Sequence, residues 1–240
     1  MSISGKKILI TRDNEGNKDW QEKLRSLGAI VKALDCISIH EFDMDNEKLI
    51  EIRRIIEASE YVIWTSARGV FYSRKFFNGH NTSKFCAVGI PTANEIKKYF
   101  GDPYLISQEM NAKGLSQIII KNEDLKNKKI LLLLAINASD VLEKELQNAG
   151  ANVKRINIYE TKPIMLNDPI LLSSLDVDHI FVASPSAAKG LKNNVIFDRS
   201  VNVYPIGVTT KKTLDKYQIK TQPIPKSTGL EGLINQLNNN

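Results

Sequence analysis

The chain has 240 residues, 25% of them charged and 42% hydrophobic, enough to bury one large core or two small ones. Its net charge of +6, from 33 basic and 27 acidic residues, suits an anionic ligand, although scattered lysines on a solvated surface account for it equally. Nucleic acid and membrane partners are not expected: basic residues neither cluster nor interleave with aromatics, and the longest apolar run, Ile130 to Ile136, is too short to span a bilayer.

The opening M-S-I-S-G-K-K has no apolar signal core behind it. Cys36 and Cys86 each sit inside an apolar run, like buried thiols in a reducing compartment, so the expected location is cytoplasmic. Lys7 to Thr11 reads K-I-L-I-T, a buried parallel strand. Trp20, Leu24 and Leu27 form one helical face that Gly28 ends, and Ala29 to Ile39 reads as a second strand. A helix over Asn46 to Ala58 follows, then strand Tyr61 to Thr65, helix Gly69 to Phe77, strand Lys84 to Val88, helix Thr92 to Phe100, strand Pro103 to Ile106 and a helix from Ala112. The second half repeats the pattern. Lys129 to Leu134 is the strand, Leu142, Leu146 and Ala149 the helix face, and Gly150 the stop, 122 positions after Gly28. A short helical counterpart over Asp168 to Leu175 precedes elements at His179 to Ala183, Ser186 to Leu191, Val201 to Ile206, Thr209 to Tyr217 and Thr221 to Ile224, with a last helix from Thr228. Strands alternating with helices predict an α/β architecture with parallel sheets, built by a diverged tandem duplication.

The duplicated phrases carry the candidate chemistry. A-V-G-I-P-T at Ala87 to Thr92 answers Y-P-I-G-V-T-T at Tyr204 to Thr210, and Ile63-Trp64-Thr65-Ser66-Ala67 answers Phe181-Val182-Ala183-Ser184-Pro185-Ser186, each at an offset of 118. Lys113-Gly114-Leu115 answers Thr228-Gly229-Leu230. The first two pairs of phrases each place a Ser or Thr where a strand gives way to a helix, so a hydroxyl is expected to cap the helix while free N–H groups attract an anion. Ligands of open α/β sheets lie beyond the carboxyl ends of the strands, where these residues would gather. Four such ends suit a ligand with several carboxylates or phosphates, although each hydroxyl alone reads as an ordinary cap. No nucleotide fingerprint is present, no G-x-S-x-G elbow occurs, and His40, His80 and His179 have no companion at metal-ligand spacing. The local cluster Asp176, Asp178 and His179 reads as a solvated strand start. One asymmetry stands out. The strand I-N-I-Y-E-T puts Tyr159 where the first half, at an offset of 122, has Ile37.

Taken in order, I-L-I-T-R at Ile8 to Arg12, W-T-S-A-R-G-V at Trp64 to Val70, A-V-G-I-P-T-A at Ala87 to Ala93, I-N-I-Y-E-T at Ile156 to Thr161, A-S-P-S-A at Ala183 to Ala187 and I-G-V-T-T at Ile206 to Thr210 resemble uroporphyrinogen-III synthase over nearly the whole chain. The resemblance implies two α/β lobes joined by a pair of antiparallel connector strands, the chain crossing over and back. Residues 1–35 with 165–240 would form one lobe and 41–155 the other, with 36–40 and 156–164 as connectors and Tyr159 at the mouth of the interlobe cleft. It also implies a substrate, hydroxymethylbilane, a linear tetrapyrrole with carboxylates on every ring. The family removes its terminal hydroxyl as water, inverts ring D through a spiro intermediate and closes the macrocycle to uroporphyrinogen III. No cofactor or metal is expected, nor any oligomer beyond the monomer, with transient contact to hydroxymethylbilane synthase. By the same resemblance Tyr159 is the general acid. Arg12, Thr65, Ser66, Arg68, Thr92, Lys113, Ser184, Ser186, Thr209, Thr210 and Thr228 are assigned to substrate binding. A polyanion-binding protein or a catalytically silent relative is the competing reading. The chain departs from the family pattern at Ala135 to Ala138, which lacks an Arg-Gly pair, at Asp13 for Pro, and at Gln218 for Gly.

Overall fold

The computed structural model describes residues 3–79, 81–107, 111–227 and 229–238. In chain order the first half runs β1 (Lys7–Ile10), α1 (Asn14–Ser26), β2 (Ile30–Ala33), β3 (Ile37–Glu41), α2 (Asn46–Ala58), β4 (Tyr61–Trp64), α3 (Ala67–Ser73), β5 (Lys84–Val88), α4 (Ile90–Phe100), β6 (Leu105–Ser107) and α5 (Ala112–Asn122). The second half runs β7 (Lys129–Ala135), α6 (Val141–Asn148), β8 (Asn152–Pro163), β9 (Ile170–Leu171), β10 (His179–Val182), α7 (Pro185–Asn194), β11 (Val195–Ile196), β12 (Asn202–Pro205), α8 (Val208–Lys216) and α9 (Gly229–Asn238).

The chain divides into two compact units, Met1–Ile39 with Thr161–Asn240, and His40–Glu160. It passes from one to the other within β3 and returns within β8. The first unit is built on a sheet of order β12-β10-β1-β2, all parallel, with β11 and β9 paired separately. The second is built on the order β3-β8-β7-β4-β5-β6, parallel from β8 to β6. β3 runs antiparallel to β8: the Phe42 N–H donates to the Ile158 carbonyl at 3.2 Å and the Ile164 N–H to the Cys36 carbonyl at 2.9 Å, so the numbering on one strand rises as the other falls. Among the described residues no helix is long and apolar enough to cross a membrane.

The cores follow from the unbroken apolar strands. Ile8 and Ile10 of β1 pack with Trp20 and Leu24 of α1 on one face of the first sheet, and Leu9 packs with Ile180, Leu191 and Leu214 on the other. In the second unit Ile130, Leu132 and Leu134 of β7 pack against Leu142 and Leu146 of α6. On the opposite face, fully buried Trp64 stacks with Phe100 at 5.9 Å and meets Phe85 edge-on at 5.3 Å, its indole N–H held by Ser73 Oγ at 2.8 Å. Gly28 and Gly150 end their helices at φ of 85° and 90°, the left-handed turn that the matched sequence positions predict.

The structure differs from the sequence reading in several places. Ala29 to Ile39 is two strands in different sheets, because the chain turns at Leu34 to Cys36. Asn17 pins that turn, its side-chain amide donating to Asp35 at 2.7 Å while its oxygen accepts the Arg12 N–H at 2.9 Å. Strand propensity is the same on both sides of such a turn, so the break left no trace in it. Asp168 to Leu175 is the short strand β9 and a 3₁₀ turn that ends where Asp176 adopts a φ of 44°. Thr221 to Ile224 forms no strand; a hydrogen bond from the Gln222 N–H to Val203 at 2.8 Å holds it beside β12. Gln218 follows α8 at a φ of 58°, so a left-handed residue is present there without glycine.

Candidate active site

The local structure of β8 decides where the phenol of Tyr159 goes. Side chains alternate along a strand, so in an unbroken β8 Tyr159 would share the face of Arg155 and Asn157. The ladder to β7 shifts register instead: Asn157 lies opposite Leu134 and Tyr159 opposite Ala135, leaving Ile158 as the extra residue of a bulge. Leu134 belongs to the α6 face. Ala135 points the other way, and so does Tyr159. That other face carries α3, packed so closely that a Cβ on Gly69 would stand 3.1 Å from the Leu133 carbonyl.

On that face Tyr159 meets Ser66 of the β4–α3 connection and Tyr72 of α3. Its hydroxyl lies 2.9 Å from Ser66 Oγ, and its ring lies 5.5 Å from that of Tyr72. Ser66 is the N-cap of α3, accepting the Gly69 N–H at 3.0 Å. One oxygen therefore anchors a helix and a phenol together. Tyr159 is 5% exposed. Burial pushes its phenol above the ordinary value of 10, an effect that the Ser66 hydrogen bond and the charge of Arg68 partly offset, so it stays protonated at neutral pH. Thr65 and Arg68 flank Ser66, both half-buried.

The remaining hydroxyls lie at carboxyl ends of strands within their own units. Contrary to expectation, Thr92 and Thr210 do not cap α4 and α8. The caps are Gly89 and Gly207, which offer no side-chain acceptor, and both threonines occupy the third helical position, buried. Thr210 Oγ1 is buried with no hydrogen-bond partner among the described residues. Thr209 is exposed. Ser184 does cap, accepting the Ala187 N–H of α7 at 3.0 Å, and Ser186 is half-buried in that first turn. Lys113 is exposed in the first turn of α5, which Asn111 caps by accepting the Gly114 N–H at 2.7 Å. The Arg12 guanidinium lies over the Trp20 ring at 4.9 Å and against Gly16. Thr228 lies outside the described residues. Tyr159, Thr65, Ser66, Arg68, Thr92 and Lys113 thus belong to the second unit, and Arg12, Ser184, Ser186, Thr209 and Thr210 to the first. Among the described residues no group of three or more His, Cys, Asp or Glu could hold a metal ion.

Residues 18–235 match the family model described as uroporphyrinogen-III synthase HemD. The chain belongs to the uroporphyrinogen-III synthase family. Among curated relatives of that family, the porphyrin biosynthesis protein HemD of Ruminiclostridium josui is 26% identical over 251 residues, an alignment covering 98% of this chain and 48% of the relative. The chloroplastic uroporphyrinogen-III synthase of Oryza sativa subsp. japonica is 29% identical over 112 residues, covering 45% of this chain and 37% of the relative. The chain thus spans about half the length of the first relative and less of the second. Two solved synthases share the fold: the Helicobacter pylori 26695 enzyme, at a TM-score of 0.66 and 18% identity over 98% of this chain and 99% of that one, and a mutant of the Thermus thermophilus enzyme, at 0.65 and 14% over 98% of each. The parallel sheets flanked by helices and the antiparallel β3–β8 pair are those of the synthase family.

Two residues around Tyr159 carried no signal in the sequence reading. Tyr72 falls inside the helix expected over Gly69 to Phe77. Arg155 stands directly before I-N-I-Y-E-T, and its guanidinium bonds to the carbonyls of Ala135, Ile136 and Ala138, in the turn where the synthase pattern has Arg-Gly.

Proposed function

We propose that the chain is a uroporphyrinogen-III synthase that closes hydroxymethylbilane to uroporphyrinogen III, with Tyr159 as the proton donor. The observation that carries this reading is the Tyr159 phenol, buried, kept neutral and held by Ser66 at the carboxyl end of the sheet in a chain of this family. The pyrrole nitrogen expels the terminal hydroxyl, and the phenol supplies the proton with which it leaves as water. The carbon left electron-poor is attacked by the substituted carbon of ring D, forming the spiro intermediate. The bond from that ring carbon to the methylene it shares with ring C then breaks, and the free α-carbon of ring D attacks that methylene, closing the macrocycle with ring D inverted. The proton lost as the ring regains aromaticity restores the phenol, so the cycle balances without a cofactor. Because the leaving group departs readily, most of the barrier is lowered by holding the open chain in one geometry, and neutral donors suffice for that. Thr65, Thr92, Ser184, Ser186, Thr209, Thr210 and Thr228, with Arg12, Arg68 and Lys113, take the substrate carboxylates in this reading, and Ser66 serves the phenol as well.

The test is to supply freshly made hydroxymethylbilane and separate the isomers formed. Spontaneous closure gives the type I isomer, so type III in excess supports the proposal. Type I alone, at the rate seen without protein, would assign the chain to binding or to a silent relative. Thr210→Val tests the carboxylate set. The hydroxyl has no partner to lose among the described residues, so the melting temperature is expected to hold or rise. KM is expected to rise roughly two- to tenfold with kcat preserved, matching about 0.5–1.5 kcal/mol for a lost hydrogen bond. An unchanged KM removes Thr210 from the set.

A further inference from the structure

The Arg155 side chain is 15% exposed and serves a single turn. Its Nη2 donates to the carbonyls of Ala135 at 3.0 Å, Ile136 at 3.1 Å and Ala138 at 3.1 Å, and its Nε donates to Asn157 Oδ1 at 2.9 Å. Glu143 of α6 stands 3.8 Å from Nη1. Three carbonyl dipoles of one turn thus converge on one cation, an arrangement that would be unfavourable without it. Nη2 shares its two N–H groups among the three carbonyls while Nε holds Asn157 and Nη1 faces Glu143, a planar spread of donors that a single ammonium cannot reproduce. The same turn holds the bulge that aims Tyr159, because the Ile136 N–H donates to the Tyr159 carbonyl at 3.0 Å. Guanidinium, turn and Tyr159 backbone therefore form one chain of contacts, and Arg155 and Tyr159 leave β8 on opposite faces of the sheet.

We infer that Arg155 is a positioning residue: by gathering the 135–138 carbonyls it fixes the bulge in β8 and so sets the Tyr159 hydroxyl against Ser66. Arg155 reaches its effect only through the backbone, so its loss loosens the turn and lets Tyr159 leave the place from which it can protonate. The kinetic consequence rests on the synthase reading; the structural consequence does not.

Two measurements on the full chain decide it. The first is amide hydrogen exchange at Ile136 in the wild type and in Arg155→Lys, with Leu133 and Leu134 within β7 as internal reference. Exchange at Ile136 is expected to accelerate at least tenfold while the reference amides are unmoved; wild-type protection at Ile136 would overturn the inference whatever the chain catalyses. The second is steady-state turnover of hydroxymethylbilane. Arg155→Lys is expected to lower kcat roughly tenfold with KM within twofold. In a Tyr159→Phe background it should cost nothing more, because a residue acting through the phenol has nothing left to position. Losses that multiply in the double variant, or a raised KM at wild-type kcat, would overturn it. A wild-type chain that forms no type III isomer would refute the synthase reading instead, and the exchange data would still decide the role of Arg155.

Discussion

Tyr159→Phe is expected to lower kcat about a hundredfold or more, the range in which a positioned general acid contributes. The substitution removes one oxygen. Ser66 keeps its capping bond to the Gly69 N–H, and the ring keeps its packing against Tyr72, so the fold and the melting temperature should change little. Binding of the product should persist, because carboxylate contacts are assigned to other residues. The pattern sought is lost turnover with retained affinity, read from single-turnover kinetics and a product-binding titration. A kcat within threefold of wild type would take Tyr159 out of the chemistry.

Gly190→Ala is expected to cost stability, against the usual gain of close to 1 kcal/mol when alanine replaces glycine inside a helix. A Cβ at this position of α7 would stand 1.9 Å from the Cys36 carbonyl oxygen and 2.7 Å from its carbon. The Cys36 backbone cannot retreat easily: its N–H donates to Arg12 at 3.0 Å and its carbonyl accepts the Ile164 N–H at 2.9 Å. Overpacking against a pinned backbone costs about 3 kcal/mol or more, at the upper end for such changes. The net loss is about 2 kcal/mol, roughly 4–8 °C in melting temperature for a chain of this size. A melting curve that does not move, or moves upward, would mean that α7 and the β2–β3 connection are less closely packed than described. The duplication gives this contact meaning. Gly190 follows Tyr72 by 118 positions, so where one helix brings its bare backbone to the connecting segment, the other brings a ring to Tyr159.

The sequence revealed the parts of this site that depend on residue type and spacing. Ser66 and Ser184, 118 positions apart, both cap helices, and the pairing was readable because a cap needs a small hydroxyl directly before the helix. Tyr159 stood out because its counterpart is Ile37. Parallel strands showed as apolar runs such as Ile130 to Leu134. Hidden were the features set by backbone geometry. The bulge at Ile158 adds one residue to a strand whose composition is ordinary on either side, so alternation alone would put Tyr159 on the wrong face. Arg155 acts on carbonyls, which every residue has, so no residue pattern announces its partners. Thr92 and Thr210 look like caps, but the glycines three positions earlier take the cap position and leave the threonines inside the first turn.

The isomer composition formed from hydroxymethylbilane by the wild-type chain and by Tyr159→Phe, side by side under single-turnover conditions, reaches the core of this account. Predominantly type III from the wild type, with the variant drifting to type I as spontaneous closure overtakes it, is the predicted result. Wild-type and variant mixtures that both match the protein-free control would contradict it.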